Sequence, residues 1–364
     1  MFNILHTENS CGWGGQELRT LTEMQGMLER GHQVTLVCPR EAQIYDASVS
    51  RGIPTIALPI ARKNFDGLGA LRRQLKSMPE IDLINTHSST DSWLSALACL
   101  TSQNTPPIVR TRHVSTNVST NWTTSWLYKK ATSHIITTGE ALRQQLHDEN
   151  AIDLQRMTSV PTGIDLQRFS PQDKTEARKA LGLSSDKHYL GIVATLRNWK
   201  GHTYLLDAFA SLQADFPEWD LLLVGDGPQR NNLERRIAEL SLSERVIMPG
   251  NRDDVPLWMN AMDLFTLPSY GNEGVPQGIM QAMACGLSVV STPVGAIREA
   301  VVHEQTGLIV PTEDSAALAD ALRSLMTNER LRREYSEASL ARAQQRFGIE
   351  IMLDKVEAVY RSVL

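Results

Sequence analysis

From residue 3 onward, short apolar runs alternate with stretches whose apolar residues recur at helical spacing. Asn3-Ile-Leu-His-Thr7 predicts a strand, and Leu18, Leu21, Gln25 and Leu28 share one mainly apolar helical face. Gly31 closes that helix and Val34-Thr-Leu-Val-Cys38 follows as a buried strand, completing a strand, helix, strand unit. The alternation restarts at Tyr189, with strands over 189–196, 219–225 and 245–248, helices over 202–213 and 229–240, and a further helix near 315–326. Leu221-Leu-Leu-Val224 and Val289-Val290 are continuously apolar, as parallel strands covered on both faces require. The pattern predicts an α/β chain of two doubly wound, Rossmann-like domains in tandem. Turn residues cluster from Val160-Pro-Thr-Gly-Ile-Asp165 to Phe169-Ser-Pro171, ahead of a charged helix at 173–181. The domains are therefore drawn as 1–168 and 169–345, with 346–364 as a terminal segment. A ligand is expected in the cleft between them, at the carboxyl ends of the strands.

At 364 residues the chain is too long for one ordinary core, and 41% hydrophobic with 21% charged residues describes a soluble globular protein. Residues 1–168 carry 16 Lys and Arg against 15 Asp and Glu, and the remainder 20 against 26. Neither half has the basic balance of a nucleic-acid binder, so no nucleic-acid partner is expected. Cys11, Cys38, Cys99 and Cys285 form no CxxC pair, and the nine histidines show no zinc-ligand spacing. The expectation is a reduced, cytoplasmic protein with no metal and no cofactor. The N-terminus enters a strand without a basic flank, and no apolar run approaches a membrane span. Between Ala61 and Met78, however, Arg62, Lys63, Arg72, Arg73 and Lys76 face one acid, Asp66, while Leu68, Leu71, Leu75 and Met78 fall at helical spacing. Trp122, Trp126 and Tyr128 beside Lys129-Lys130 add an aromatic and basic group. Most helices of this kind pack their apolar side on a core; with the aromatic group beside them, the basic residues also predict weak peripheral contact with an anionic membrane surface, at the inner face of the cytoplasmic membrane.

The stretch from Tyr270 to Gly286 places a carboxylate, Glu273, beside a tight turn and a helix start. Pro276 suits the first helical position and Gly286 the residue past the end. Unpaired N–H groups and the positive end of a helix favour phosphate, while a carboxylate accepts bonds from sugar hydroxyls. A sugar diphosphate combines those two chemistries. The amides of Gly274 and Val275 are the candidate phosphate cradle. His87, ending Ile81 to His87, sits at a strand end facing the expected cleft.

The glycine loop before Gln16-Glu17, Arg30-Gly-His-Gln-Val34, Thr111-Arg-His113, Val160 to Asp165, Leu196 to Gly201, Gly225-Asp-Gly-Pro228 and Leu267 to Gly274 occur in an order and spacing that resemble the retaining glycosyltransferases of family four, whose fold is called GT-B. The resemblance covers nearly the whole chain. It implies two Rossmann-like domains facing across a cleft: the C-terminal half binds a nucleotide sugar, the N-terminal half receives the acceptor, and a last helix at about 349–363 crosses back to the first domain. It further implies that Lys200 neutralises the departing diphosphate and that Glu273 receives hydroxyls of the transferred sugar. Gly14 and Gly15 then lie beside the donor phosphates and acceptor, with Gln16 and His87 on the acceptor side, and His113 reaches the reacting sugar. Asn251 and Arg252 mark where the nucleobase is read; the Arg252 side chain could equally be a solvated turn arginine beside Asp253 and Asp254.

Two positions depart from the family pattern. Thr195 stands where an arginine usually assists the lysine, leaving Arg197 as the substitute, and Gln281 stands where a second glutamate bonds the ribose. Gln281 lies five residues past Pro276, roughly 7.5 Å along a helix, and Gln277 lies one turn earlier on the same face. The implied reaction is retaining transfer of a hexose or N-acetylhexosamine, most simply UDP-linked, to a glycan or lipid-linked acceptor in lipopolysaccharide or polysaccharide biosynthesis. A UDP-sugar epimerase of similar shape would need acid and base groups around the ring, and a non-catalytic nucleotide-sugar binder would fit Thr195 and Gln281. A nicotinamide enzyme would need G-x-G-x-x-G where Gly12-Trp-Gly-Gly15 stands.

Overall fold

The computed structural model describes residues 1–100, 105–114, 116–271 and 273–364. They form two compact units, Met1–Gly163 with Ile349–Leu364, and Ile164–Gly348. In unit 1 the strands are β1 (Asn3–Thr7), β2 (Gln33–Cys38), β3 (Thr55–Ala57), β4 (Leu83–Thr86), β5 (Ile108–Arg112), β6 (His134–Thr137) and β7 (Met157–Ser159). They make one parallel sheet in the order β3-β2-β1-β4-β5-β6-β7. Unit 2 contains β8 (His188–Val193), β9 (Trp219–Val224), β10 (Val246–Gly250), β11 (Leu264–Leu267), β12 (Val289–Ser291) and β13 (Gly307–Ile309), parallel in the order β10-β9-β8-β11-β12-β13. The strand order reverses at β1/β4 in unit 1 and at β8/β11 in unit 2. A parallel doubly wound sheet opens a crevice at such a reversal, outside the carboxyl ends of the strands.

Both sheets are buried as their apolar runs require. Leu221, Leu222 and Leu223 of β9 and Val289 and Val290 of β12 are fully inaccessible. The unit boundaries fall slightly earlier and later than the turn residues suggested, after Gly163 and after Gly348. The Ile164 amide donates to the Phe347 carbonyl, and Ile164 and Phe169 pack in the core of unit 2, which ties 164–168 to that side.

Two details of the sequence pattern need correction, and the structure fixes the packing of a third element. The first helix, Gly15–Glu29, buries Leu21, Met24 and Met27, while Leu18 and Gln25 are exposed. Its inner stripe is also partly polar, with Glu17, Arg19, Thr20 and Glu23 buried. Pro276 is the residue before the helix Gln277–Ala284 rather than its first turn, with an extended ψ of 127°, and Gly286 follows the helix at φ 73°. In the basic helix Phe65–Ser77, Leu71 is buried and Leu68, Leu75 and Met78 pack against the unit 1 core, so its apolar face is already covered.

The terminal helix Ile349–Val363 belongs to unit 1. Met352, Leu353, Val356, Val359 and Tyr360 share a core with Leu21, Met24 and Met27 of the first helix. Gly26 permits that approach: a Cβ there would stand 2.3 Å from Leu353 Cδ1.

Candidate functional site

In unit 2 the two chain segments that leave β8 and β11 meet at the sheet's reversal point. After β8 the chain runs through Thr195-Leu-Arg197 into a single turn, Asn198–Lys200, and Gly201 at φ 77°. A Cβ at Gly201 would lie 2.0 Å from the Pro268 carbonyl oxygen, so only glycine lets this loop press against the segment after β11. The Tyr270 amide donates to the Trp199 carbonyl at 2.8 Å, locking the two loops together. That closeness brings Lys200 Nζ to 2.7 Å from Glu273 Oε1. Ser269 Oγ donates to the same carboxylate oxygen at 2.6 Å. Glu273 is 5% exposed and the Lys200 side chain 19%, so the pair is sheltered without being sealed. Behind it, Gly295 at φ 54° leaves room for the Glu273 carbonyl, which a Cβ would meet at 1.9 Å.

An ammonium has three donors and Glu273 takes one, so Lys200 can bond a phosphate oxygen without releasing the carboxylate. Gly274 is half-buried and Val275 buried, directly ahead of the helix Gln277–Ala284. Gln281 is half-buried on that helix. Thr195 and Arg197 are exposed, and the Arg197 guanidinium lies over the Trp199 ring at 5.1 Å. Asn251 and Arg252 follow β10, the edge strand, and both are exposed. Arg252 makes a two-pronged contact with Asp254, at 2.8 and 2.7 Å, so its fork is occupied within the turn.

The carboxyl ends of β1, β4 and β5 in unit 1 gather a second set. His6 Nδ1 lies 2.9 Å from His87 Nε2, and His87 Nδ1 lies 3.0 Å from His113 Nε2. His6 and His87 are buried and His113 half-buried. Burial lowers all three, His6 to about 3 and the other two well below the usual imidazole range, and the buried Arg19 charge opposes protonation of His87 and His113 further. Gly14 precedes the helix that Gly15 opens. Gln16 Nε2 donates to Glu8 Oε2 at 2.5 Å and to Ser88 Oγ at 3.0 Å, so the amide donors expected on the acceptor side are used inside the unit.

Several of these groups left no usable signal in the sequence. Glu8 is fully buried, accepting from Ser88 Oγ at 2.6 Å and the Ser10 amide at 2.8 Å. Asp91 accepts from the His87 and Ser88 amides at 2.8 and 2.9 Å and from Thr7 Oγ1 at 3.1 Å. Burial, followed by the charge of Glu8, pushes Asp91 up to about 8. Glu8 and Asp91 resemble solvated acids at a strand end and a helix start. Only the tertiary fold shows otherwise.

The family model described as "Glycosyltransferase Family 4" matches residues 13–168, and that described as "Glycosyl transferases group 1" matches residues 173–342. The chain belongs to glycosyltransferase family four. This family-four chain is 36% identical over 215 residues to the lipopolysaccharide core biosynthesis mannosyltransferase LpsB of Rhizobium meliloti, a match spanning 57% of the chain and 61% of that protein. It is 25% identical to the UDP-Gal:alpha-D-GlcNAc-diphosphoundecaprenol alpha-1,3-galactosyltransferase of Escherichia coli, across 98% of the chain and 96% of that protein. The crystal structure of Anabaena HepE in complex with UDP superposes with a TM-score of 0.87 at 22% identity, covering 99% of the chain and all of that structure. The fold of this family-four enzyme is GT-B.

Proposed function

We propose that the chain transfers a hexose or N-acetylhexosamine from a nucleoside diphosphate donor, UDP in the first instance, to a glycan or lipid-linked acceptor. Lipopolysaccharide or another surface polysaccharide is the proposed product, and the anomeric configuration is retained. The observation that carries this reading is the Lys200–Glu273 pair, held 2.7 Å apart at the β8/β11 reversal of unit 2. One partner suits a departing diphosphate and the other the hydroxyls of the attached sugar. Gly274, Val275 and the helix start supply amide donors for the phosphates, with Arg197 as a second cation and Gln281 at the ribose. The names of the Escherichia coli relative and of the HepE complex both include UDP, which supports that nucleotide here.

Glu273 does not act as a nucleophile in this proposal. Its Oε1 already accepts from Lys200 and Ser269, which stabilises the anion and lowers its reactivity. Charge stabilisation and positioning lower the barrier, and the leaving phosphate assists deprotonation of the acceptor. Incubation with UDP-sugars, with and without acceptor extract, tests the activity: UDP release should depend on the acceptor. Lys200→Ala should reduce the rate by about 10²–10³-fold, the size expected when one charge-stabilising group is removed. Release that ignores acceptor, or a Lys200→Ala rate equal to the parent, would contradict the proposal.

A weak contact with anionic lipid completes the reading. No helix among the described residues is long and apolar enough to cross a membrane. Unit 1 nevertheless exposes Phe65 at 92% and Trp122 at 81%, and Arg62, Lys63, Arg72, Arg73 and Lys76 are exposed on and beside the Phe65 helix.

A further inference from the structure

We infer that His6 and His87 are positioning residues that fix the tautomer of His113, so that its Nδ1 carries the proton and presents a donor to a sugar or phosphate oxygen bound at the carboxyl end of the unit 1 sheet. The assignment follows from counting protons along one hydrogen-bonded column. Thr20 Oγ1 lies 3.0 Å from the Gln16 carbonyl, which can only accept, so the threonine hydroxyl proton is spent there. With its proton given to that nearer carbonyl, the same oxygen, 3.3 Å from His87 Nδ1, is left to accept, which assigns a hydrogen to His87 Nδ1. That N–H is shared with His113 Nε2, at the shorter distance of 3.0 Å, which makes His113 Nε2 the acceptor. A neutral ring has one N–H, so the His113 proton resides on Nδ1. In the other direction His87 Nε2 is bare and accepts from His6 Nδ1 at 2.9 Å.

The far end of the column agrees. His6 Nε2 is buried without a hydrogen-bond partner, and this arrangement leaves it a lone pair. The reversed column would place an orphaned N–H there, and buried donors without partners are the rarer and costlier case. Neutrality, on which the count depends, follows from burial of His6 and His87, from the partial burial of His113, and from the Arg19 charge beside His87 and His113. The His6 and His87 rings are nearly coplanar, at 11° with centres 5.2 Å apart, so they meet edge to edge and the Nδ1–H of one is aimed at the Nε2 lone pair of the other. The consequence is chemical: His113 donates a hydrogen bond through Nδ1, and its basic nitrogen is turned inward and occupied. It therefore orients a ligand oxygen and does not remove a proton from an acceptor hydroxyl. That consequence rests on the proposed glycosyl transfer, whereas the proton count does not.

Long-range proton–nitrogen correlation spectra of the full chain with ring-labelled histidine read the tautomers directly, with His113→Gln supplying the assignment. The expected result at neutral pH is a protonated Nδ1 and a bare Nε2 on His113, His87 and His6. A proton on His113 Nε2 would overturn the inference, whatever the activity of the protein. His6→Asn places an amide donor near the position of Nδ1 and should keep the His113 tautomer, while His6→Leu removes the donor and should mix the two forms. In the transfer assay His6→Leu should lower kcat about tenfold, which is a barrier higher by roughly 1.4 kcal/mol, with His6→Asn restoring most of the rate. Equal kcat in both variants, or a mixed tautomer in neither, would refute the positioning role. If both variants fold poorly, the spectrum of the parent protein still decides the proton count.

Discussion

In the proposed donor site Gln281 is the side chain placed at the ribose. A neutral amide accepts a ribose hydroxyl through one oxygen and forms a weaker bond than a carboxylate, by about 1 kcal/mol. Gln281→Glu should therefore preserve transfer and tighten nucleotide binding about fivefold by calorimetry. A sharp fall in affinity would show that the ribose is bound elsewhere. The buried acids of unit 1 give a second test. Burial raises both Glu8 and Asp91, the latter to about 8, so the folded chain holds protons that the unfolded chain releases. The stabilisation from this difference is complete below the ordinary carboxylate range and is lost as pH rises through about 8. Melting temperature should fall between pH 6 and pH 9, and Glu8→Gln, which removes the neighbouring charge, should flatten that fall. An unchanged slope in the variant would mean that other groups set it.

Among the elements, the contact between the first helix and the terminal helix is the most demanding. Gly26→Ala would push a methyl group into Leu353, and because both helices are confined by the surrounding core the cost should be about 1–3 kcal/mol, measured by denaturant unfolding. Full parent stability would show that the terminal helix can shift. The strands and most helices could be read from the chain because buried parallel strands must be apolar and their linking helices amphipathic. The first helix was legible as a helix, but its buried face was not, because Arg19 and Glu23 have the spacing of a solvated ion pair. Their burial depends on partners distant in sequence: the Val160 carbonyl for Arg19, and Asn85 and Tyr360 for Glu23. In the candidate donor site, Glu273 was legible through the turn and helix start that follow it, and Lys200 through the family resemblance alone. Ser269 and Gly295 were not, because their importance lies in contacts between loops.

For the whole molecule, the sequence pattern carried two doubly wound units, and the family match carried the class of reaction. The basic face of unit 1 adds a prediction at this scale: the full chain should sediment weakly with anionic vesicles at low salt and dissociate as salt rises. Failure to sediment at low salt would exclude the lipid contact. Two sheets with reversed strand order offer two crevices, and among the described residues only that of unit 2 pairs a lysine with a sheltered carboxylate at 2.7 Å. A crystal structure of the chain with an intact UDP-sugar examines that assignment most directly. The diphosphate should lie within hydrogen-bond distance of Lys200 Nζ, with a sugar hydroxyl on the Glu273 carboxylate. A donor bound with Lys200 turned to solvent, or with Glu273 remote from the sugar ring, would contradict it.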